Sequence, residues 1–468
     1  MSFTLIPVSF DDAVADLRNR TTGAVLTPAD DGYDSARAAW NIAIQQRPAV
    51  IVIPESVDDV VAAVRFARAS GLRVAIQATG HGVGRPADDA VLIVTARLDE
   101  VIIDPAARTA RVSAGAKWGA VLAPAQEHGL APLLGSTTDV GAVGYTLGGG
   151  MGWLARRYGL ASDSVRSFDL VTPDGTRVHT SADERPELFW ALKGGGGGTL
   201  GVITSMEIDL YPVRTVYAGN LLYPAEMARE VMTRWSEWTR GVSDELTSSV
   251  VLMNVPPFEE VPEPIRGKSF VIVRGCWSGD LAEGEALIDE WRTWKAPALD
   301  MFGPMPFSAA DTISNDPVDP MPAMVTTEWF DELADEAIDV LVKATVPEPG
   351  RQPMLVFSEI RHAGGAVRAN ASKAANDRGR SGELLLEMVG FVPNPHAGLA
   401  LEAHLRYTRL ALAPYVTGAA YLNFMEGREK QERTETAFSA EHLSRVQAVK
   451  AAVDPDDRFC HGFGITPS

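Results

Sequence analysis

Cysteine is nearly absent. The chain has 468 residues and only Cys276 and Cys460, too few for a disulfide framework or a cysteine zinc cluster. Long apolar runs are also missing: none approaches the ~20 residues that a bilayer span needs. Basic residues are in deficit, 42 Lys and Arg against 61 Asp and Glu, for a formal net charge of -19. Nucleic acids and anionic membrane surfaces would be repelled by such a chain, so neither is expected as a partner. The eight histidines show no close pairing with carboxylates at ligand spacing, so no metal site is expected. The first seventeen residues lack a basic start followed by an apolar stretch. No secretory leader is therefore expected, and a cytoplasmic location is.

What remains is ordinary for a folded protein: 46% apolar and 22% charged residues, a balance that disfavours disorder. At about 150 residues per domain, two or three domains are expected. The 42 glycines are clustered, and the clusters carry the information.

After a lead-in over residues 1–45, where one or two helices are expected, residues 48–53 (PAVIVI) form a β-branched run, a strand signal. Ser56 stands where a helix N-cap belongs, with Asp58 and Asp59 in the first turn. Val60, Val61, Val64 and Ala67 recur at helical spacing, and Gly71 ends the helix. Residues 73–78 read as a second strand. This strand–helix–strand unit runs into Thr79-Gly80-His81-Gly82, and open α/β sheets bind ligands at the carboxyl ends of their strands. Further strands are expected at 91–95, 101–103, 109–113, 167–172, 177–180 and 205–210, with a helix over 116–128.

After Pro212 the texture changes. Strand-like runs at 248–253, 269–273, 354–361 and 383–389 alternate with helical patterns at 225–238, 282–293 and 331–343, predicting a second α/β domain with an antiparallel sheet. From Tyr421 a short strand and a helix over 440–452 are expected. The boundaries implied are 1–212, 213–420, and a terminal segment, 421–468, that returns to the first domain.

Glycines at a strand end let backbone N–H groups approach a phosphate closely, and His81 would face whatever lies above. Taken alone, a loop histidine bonded to a nearby carbonyl explains the segment as well. A second passage, residues 135–153 (GSTTDVGAVGYTLGGGMGW), adds weight. So many small residues bury little and cost chain entropy, so the passage is expected to pack its backbone against a flat ligand and not to form a core element. Val140, Leu147 and Trp153 interleave the glycines, unlike a polar linker.

Five ordered motifs now stand together: residues 48–53 with their helix; 77–82; 135–152 continuing through Arg156-Arg157-Tyr158-Gly159-Leu160-Ala161-Ser162-Asp163; Pro186-Glu187-Leu188-Phe189-Trp190 with the glycine run 194–201; and Tyr421-Leu422-Asn423-Phe424. In this the chain resembles the berberine-bridge-enzyme-like branch of the vanillyl-alcohol-oxidase/PCMH flavoprotein superfamily. The resemblance implies an α+β fold: a PCMH-type FAD-binding domain of two α+β subdomains, plus a substrate domain whose antiparallel sheet is covered by helices. It implies FAD bound covalently through His81, with Ala78, Thr79, Gly80 and Gly82 at the pyrophosphate. Gly141, Gly144, Gly148, Gly149 and Gly150 would line the flavin, Gly201 and Val202 the adenine end, and Asn423 would reach the flavin from the C-terminal strand. Many relatives carry a cysteine where this chain has Thr137. A hydroxyl cannot form their second, thioether bond, so a single covalent link is expected. Val140 resembles the oxidase pattern at the approach to flavin C4a, which implies O2 as acceptor and H2O2 as product.

An alcohol loses its hydroxyl proton as hydride leaves, so a base is required. On a strand, Tyr421 and Asn423 would share a face, and the resemblance places a catalytic tyrosine here. Leu355, Phe357, Glu359 and Arg361 share one face of the next candidate strand, Ser358 and His362 the other; Glu359 is the first candidate there and His362 the second, against a solvent-side Glu359–Arg361 pair. Tyr145 is expected to touch flavin or substrate. The expected activity is oxidation of a hydroxyl on a sugar or secondary metabolite. A dehydrogenase or oxidative cyclase of the same fold, and a non-catalytic flavin carrier, are the alternatives. A nicotinamide dehydrogenase fits poorly, because Gly148–Gly152 does not follow a strand of useful length.

Overall fold

A computed structural model describes residues 9–259 and 261–468; residues 1–8, the start of the expected lead-in, and residue 260 lie outside the described residues. Its first sheet grows from the strand–helix–strand unit. Val50–Ile53 and Val74–Gln77 flank Val91–Val94 in parallel, and helix Val57–Ala69 makes the crossover. The Ser56 hydroxyl accepts from the Asp59 N–H, satisfying a donor that every helix start leaves open. The Asp59 carboxylate, buried in turn, accepts the backbone N–H groups of Thr22, Gly23 and Glu55. This fastens the lead-in, whose helix Phe10–Arg20 is followed by an edge strand, Ala24–Leu26, where only helices were expected.

The second sheet is antiparallel, in the order Val101–Asp104, Thr109–Ser113, Val202–Asp209, Val165–Val171, Arg177–Ser181. Against it packs the glycine passage, and here the sequence reading needs correction. Residues Ala142–Leu147 form a short helix, and Ala142, Val143 and Leu147 are buried in the largest hydrophobic cluster. Small residues let this helix sit close to its neighbours, so the segment is a core element as well as a lining.

The third sheet has eight antiparallel strands drawn from residues 215–391, with Leu246–Asn254, Phe357–His362 and Leu384–Phe391 adjacent near its centre. Helices Ala228–Thr239, Leu281–Trp294, Asp335–Thr345 and Pro395–Leu412 cover one face. Val250, Leu252, Ile360 and Leu386 from the strands meet Trp235, Trp291, Ile338 and Leu401 from the helices; each such side chain contributes about 1.5–3 kcal/mol on burial. Because strand side chains alternate, Ser249, Val251, Glu359, Arg361 and Glu387 occupy the opposite face. Four strands here escaped the sequence reading: the short Leu299–Asp300 and Gly303–Pro306, and the longer Thr215–Pro224 and Ala323–Phe330. Thr215–Pro224 is interrupted by Gly219 and Asn220, and Ala323–Phe330 buries Thr326, Thr327 and Glu328, so neither alternates cleanly.

The chain then returns. Tyr421 opens no strand: the Phe424 N–H bonds back to the Tyr421 carbonyl, closing a turn at Leu422–Phe424 that uses its backbone groups locally. Helix Ala440–Val453 brings in Lys450, fully buried, whose ammonium donates to the Asp454 carboxylate at 2.6 Å and to the carbonyls of Thr199 at 2.9 Å and Phe459 at 3.1 Å. No helix among the described residues is long and apolar enough to cross a membrane.

Lys450 thus ties the terminal segment to the glycine run. Lys450→Met should destabilise the fold by about 3–5 kcal/mol, because it strands a buried carboxylate. An unchanged urea midpoint would show that the pair contributes nothing.

Candidate active site

A cavity of about 1730 Å³ lies between the two glycine-lined sheets' loops and the free face of the eight-stranded sheet. Ligand cavities commonly span ~300–1,000 Å³, so this one has room for a dinucleotide and a second small molecule. Ala78, Thr79, Gly80, His81 and Gly82 form one wall. Thr137, Val140, Gly141, Gly144 and Tyr145 form another, and Gly201 and Asn423 also reach it.

His81 follows the end of strand Val74–Gln77, where Gly80 at φ +82 turns the chain against Ala39 so closely that a Cβ would lie 2.7 Å from the Ala39 Cα. The imidazole stacks on Trp40, centroids 4.4 Å apart, and its Nδ1 lies 2.7 Å from the Thr79 hydroxyl. Burial pushes its pKa down to about 4, so the ring is neutral at physiological pH and keeps one nitrogen lone pair. Tyr145 has a buried hydroxyl with no partner among the described residues, and its carbonyl accepts from Asn423 Nδ2 at 2.9 Å. An orphaned buried hydroxyl and glycine backbone along a cavity of this size are what a bound dinucleotide would complete.

Other expected residues lie elsewhere. Gly148, Gly149 and Gly150 do not line the cavity; they are pressed against protein. A Cβ on Gly148 would sit 1.8 Å from Asn423 Oδ1, so this glycine makes room for the asparagine that does line it. Val202 is fully buried, and its backbone pairs with Val171 in the sheet ladder; Gly201 and Ile203 reach the cavity in its place. The Tyr421 hydroxyl is buried behind the wall, accepting from the Met151 N–H at 2.7 Å and lying 3.5 Å from Asn423 Nδ2. Burial raises its pKa to about 12. Strand alternation did not put Tyr421 beside Asn423; the turn did.

His362 faces the helices, away from the cavity, as alternation requires. Its Nε2 lies 2.6 Å from Arg156 Nη1, and burial with that guanidinium lowers its pKa to about 3. Glu359 is buried, not solvent-side. It accepts from Ser249 at 2.7 Å and from Arg361 Nε at 2.9 Å. Burial pushes its pKa up, but Arg361 and Arg274 more than offset this and hold it below the usual carboxylate range. Arg361 lines the cavity, lies over the Phe424 ring at 4.8 Å, and donates at 3.1 Å to Glu387, directly across the strand pair from Glu359. Glu387 lines the cavity too. Burial raises its pKa to about 8, Arg361 offsetting part of this while Glu359 and Asp316 add to the rise.

Glu387 was missed in the sequence. The available signal was a lone carboxylate inside the apolar run Leu384–Val389, an arrangement seldom buried without purpose.

Comparison with known proteins defines a flavin-binding oxidoreductase. An FAD-binding-domain family model matches residues 48–181, and a berberine and berberine-like model matches residues 420–466. (R)-6-hydroxynicotine oxidase of Paenarthrobacter nicotinovorans is 29% identical over 95% of this chain and 97% of its own. An FAD-linked oxidoreductase of Dictyostelium discoideum is 25% identical, covering 95% of each. Among solved structures, a berberine-bridge-enzyme-like protein of Physcomitrella patens superposes with a TM-score of 0.83 at 18% identity, covering 97% of this chain and 99% of that one. The chain thus carries an FAD-binding domain and a berberine-like domain, and the relatives that match it over nearly its whole length are FAD-linked oxidoreductases.

The Glu387 shift predicts a pH effect. A carboxyl whose folded pKa is raised stabilises the fold fully below its unfolded value, near 4.3, and that contribution is lost as pH rises to about 8. Glu387→Gln should therefore gain Tm relative to the parent between pH 5 and pH 8.5. A constant Tm difference would show that Glu387 titrates normally.

Proposed function

We propose that this protein is an FAD-dependent oxidase that holds its flavin by one covalent bond, through His81, and oxidises a hydroxyl group on a small secondary metabolite, with O2 as acceptor and H2O2 as product. The observation that carries this reading is the convergence of His81, Tyr145, Asn423 and the Arg361–Glu387 pair on one cavity. When bound, the flavin supplies a hydride acceptor at N5.

The protein's own groups have distinct tasks. His81, neutral and fixed against Trp40, offers a ring nitrogen for the covalent bond. Thr137 stands at the cavity with a hydroxyl where many relatives have a thiol, and Cys276 and Cys460 do not line it, which supports a single link. The Glu387 carboxylate accepts the substrate hydroxyl proton, its raised pKa lying near the working pH where a general base is most effective. Arg361, gripped by Glu359 from below, holds Glu387 in position. Tyr145 offers its unpartnered hydroxyl to substrate or cofactor. Tyr421 supports the Met151 backbone and Asn423 and does not act as the base. Val140 lines the cavity and leaves room for O2.

Met253, Phe258, Met321 and Phe357 on the outer wall favour an apolar substrate body over a sugar, which would need a denser set of polar partners. The relative at 29% identity is named for 6-hydroxynicotine, also a small molecule.

Two measurements test this. Flavin should stay with acid-precipitated parent protein and become extractable in His81→Ala; an unmodified His81 peptide by mass spectrometry would refute the covalent bond. Glu387→Gln should slow flavin reduction by ~10²–10⁴-fold and abolish the parent's rise in kcat/KM as pH increases through about 8. A parent-like pH profile in the variant would remove Glu387 from the mechanism.

A further inference from the structure

At the end of the cavity where the loop from Gly80 to Arg85 meets the C-terminal tail, three basic side chains lack a carboxylate partner. Lys430 is the clearest. Its side chain is only 6% exposed, yet no carboxylate among the described residues lies within ion-pair distance. Its ammonium donates once, to the Gly82 carbonyl at 2.9 Å, and lies 4.5 Å from the Phe463 ring centroid. An ammonium has three protons to donate, and a buried charge left without a counter-charge is costly. Burial accordingly lowers its pKa to about 8.

Arg85 spends a guanidinium N–H on the neutral Gln431 side chain at 3.1 Å and has no ion pair. His461, buried, sits near the carbonyls of Arg85 and Pro86 without reaching hydrogen-bond geometry with them, and both of its ring nitrogens are unpartnered. Lys430, Arg85 and His461 all line the cavity, beside the backbone of Gly82, Gly84, Gly198 and Gly462. The acidic group nearby, Glu426, attracts Lys430 but stays outside ion-pair distance: it accepts from Asn41 Nδ2 at 2.5 Å, and burial raises its pKa to about 7, Asn41 and Lys430 offsetting part of the rise. Ion pairs elsewhere are abundant; Lys450, equally buried, has Asp454 at 2.6 Å. Two cations without ion pairs, Lys430 and Arg85, beside an unpartnered His461 whose charged form burial disfavours, mark an anion's place in a chain of net charge -19.

We infer that Lys430, supported by His461 and Arg85, supplies the counter-charge for the diphosphate of the bound dinucleotide. This rests on FAD as the cavity's occupant. Backbone N–H groups of the glycine loops point partial charges at a phosphate; Lys430 adds a full one, and a charge-assisted hydrogen bond is roughly twice as strong as a neutral one.

The test uses the full-length His81→Ala apoprotein, in which flavin exchanges freely, with FAD and riboflavin as paired probes of equilibrium binding. Riboflavin carries the same ring system without phosphate. Lys430→Gln keeps a donor for the Gly82 carbonyl but no charge, and Lys430→Arg keeps the charge. The expected result is a rise in the FAD Kd of about 10-fold or more for Lys430→Gln, near-parent FAD affinity for Lys430→Arg, and riboflavin affinity within about 2-fold in both. An unchanged FAD Kd in Lys430→Gln would overturn the inference and leave the cations to a phosphate on some other ligand. Equal losses for FAD and riboflavin would also overturn it, by showing a structural effect. If the His81→Ala parent binds neither probe, the FAD reading itself falls, and this inference with it.

Discussion

The architecture depends on chain crossings that leave no room for a side chain. Gly148 passes Asn423 with space for hydrogen and nothing more, and a Cβ on Gly84 would lie 2.5 Å from the Gly462 carbonyl. At the first crossing the 135–152 passage meets the C-terminal turn; at the second the His81 loop meets the tail. The cavity is the space these crossings enclose, so its walls come from segments hundreds of residues apart. Glycine there serves two ends that sequence alone does not separate: close approach of protein to protein, and close approach of protein to ligand. Gly148 belongs to the first kind; Gly144, where a Cβ would meet nothing within 4 Å, faces the open cavity instead.

Charge is handled by the same economy. On the eight-stranded sheet, alternation sends Ile360 and His362 to the helices and Glu359 and Arg361 to the cavity side. Glu359 and Glu387 are cross-strand partners, and like charges so placed repel. Arg361 bridges them, at 2.9 and 3.1 Å. One guanidinium cannot neutralise two buried carboxylates equally. Glu359 also has Ser249 and Arg274, so its charge is satisfied, and the deficit falls on Glu387, which holds its proton to about pH 8. A group tuned to change charge near neutral pH arises here from an imbalance in partners.

This division explains what the sequence made legible. The His81 loop and the sheet-forming runs that were read follow local rules, and their elements appear within a few residues of where periodicity puts them; the helix inside the first glycine passage did not announce itself. The parity of Glu359, Arg361 and His362 was readable because alternation is local. The turn at Leu422–Phe424 was not, since a short apolar run gives no sign of whether a sheet edge is available to receive it. Nor was the retreat of Tyr421 behind the wall, or the advance of Glu387 and Lys430 to it. Those depend on which partners other segments bring, and partners meet only in three dimensions.

Net charge illustrates the same limit. A value of -19 argues against phosphate-bearing surfaces as partners, because a polyanion meets the whole field of the protein. It does not govern a dinucleotide drawn into a cavity. Screening confines exposed charges to ~8 Å at physiological ionic strength, while buried groups interact with little screening. Inside, the local count decides, and at the loop–tail corner it is inverted: Lys430 and Arg85 stand free of ion pairs while Glu426 is held by Asn41 and pushed toward its neutral form by burial. An acidic protein can therefore bind an anionic cofactor tightly, provided its few unpaired cations lie where the anion enters and its carboxylates there are occupied or protonated.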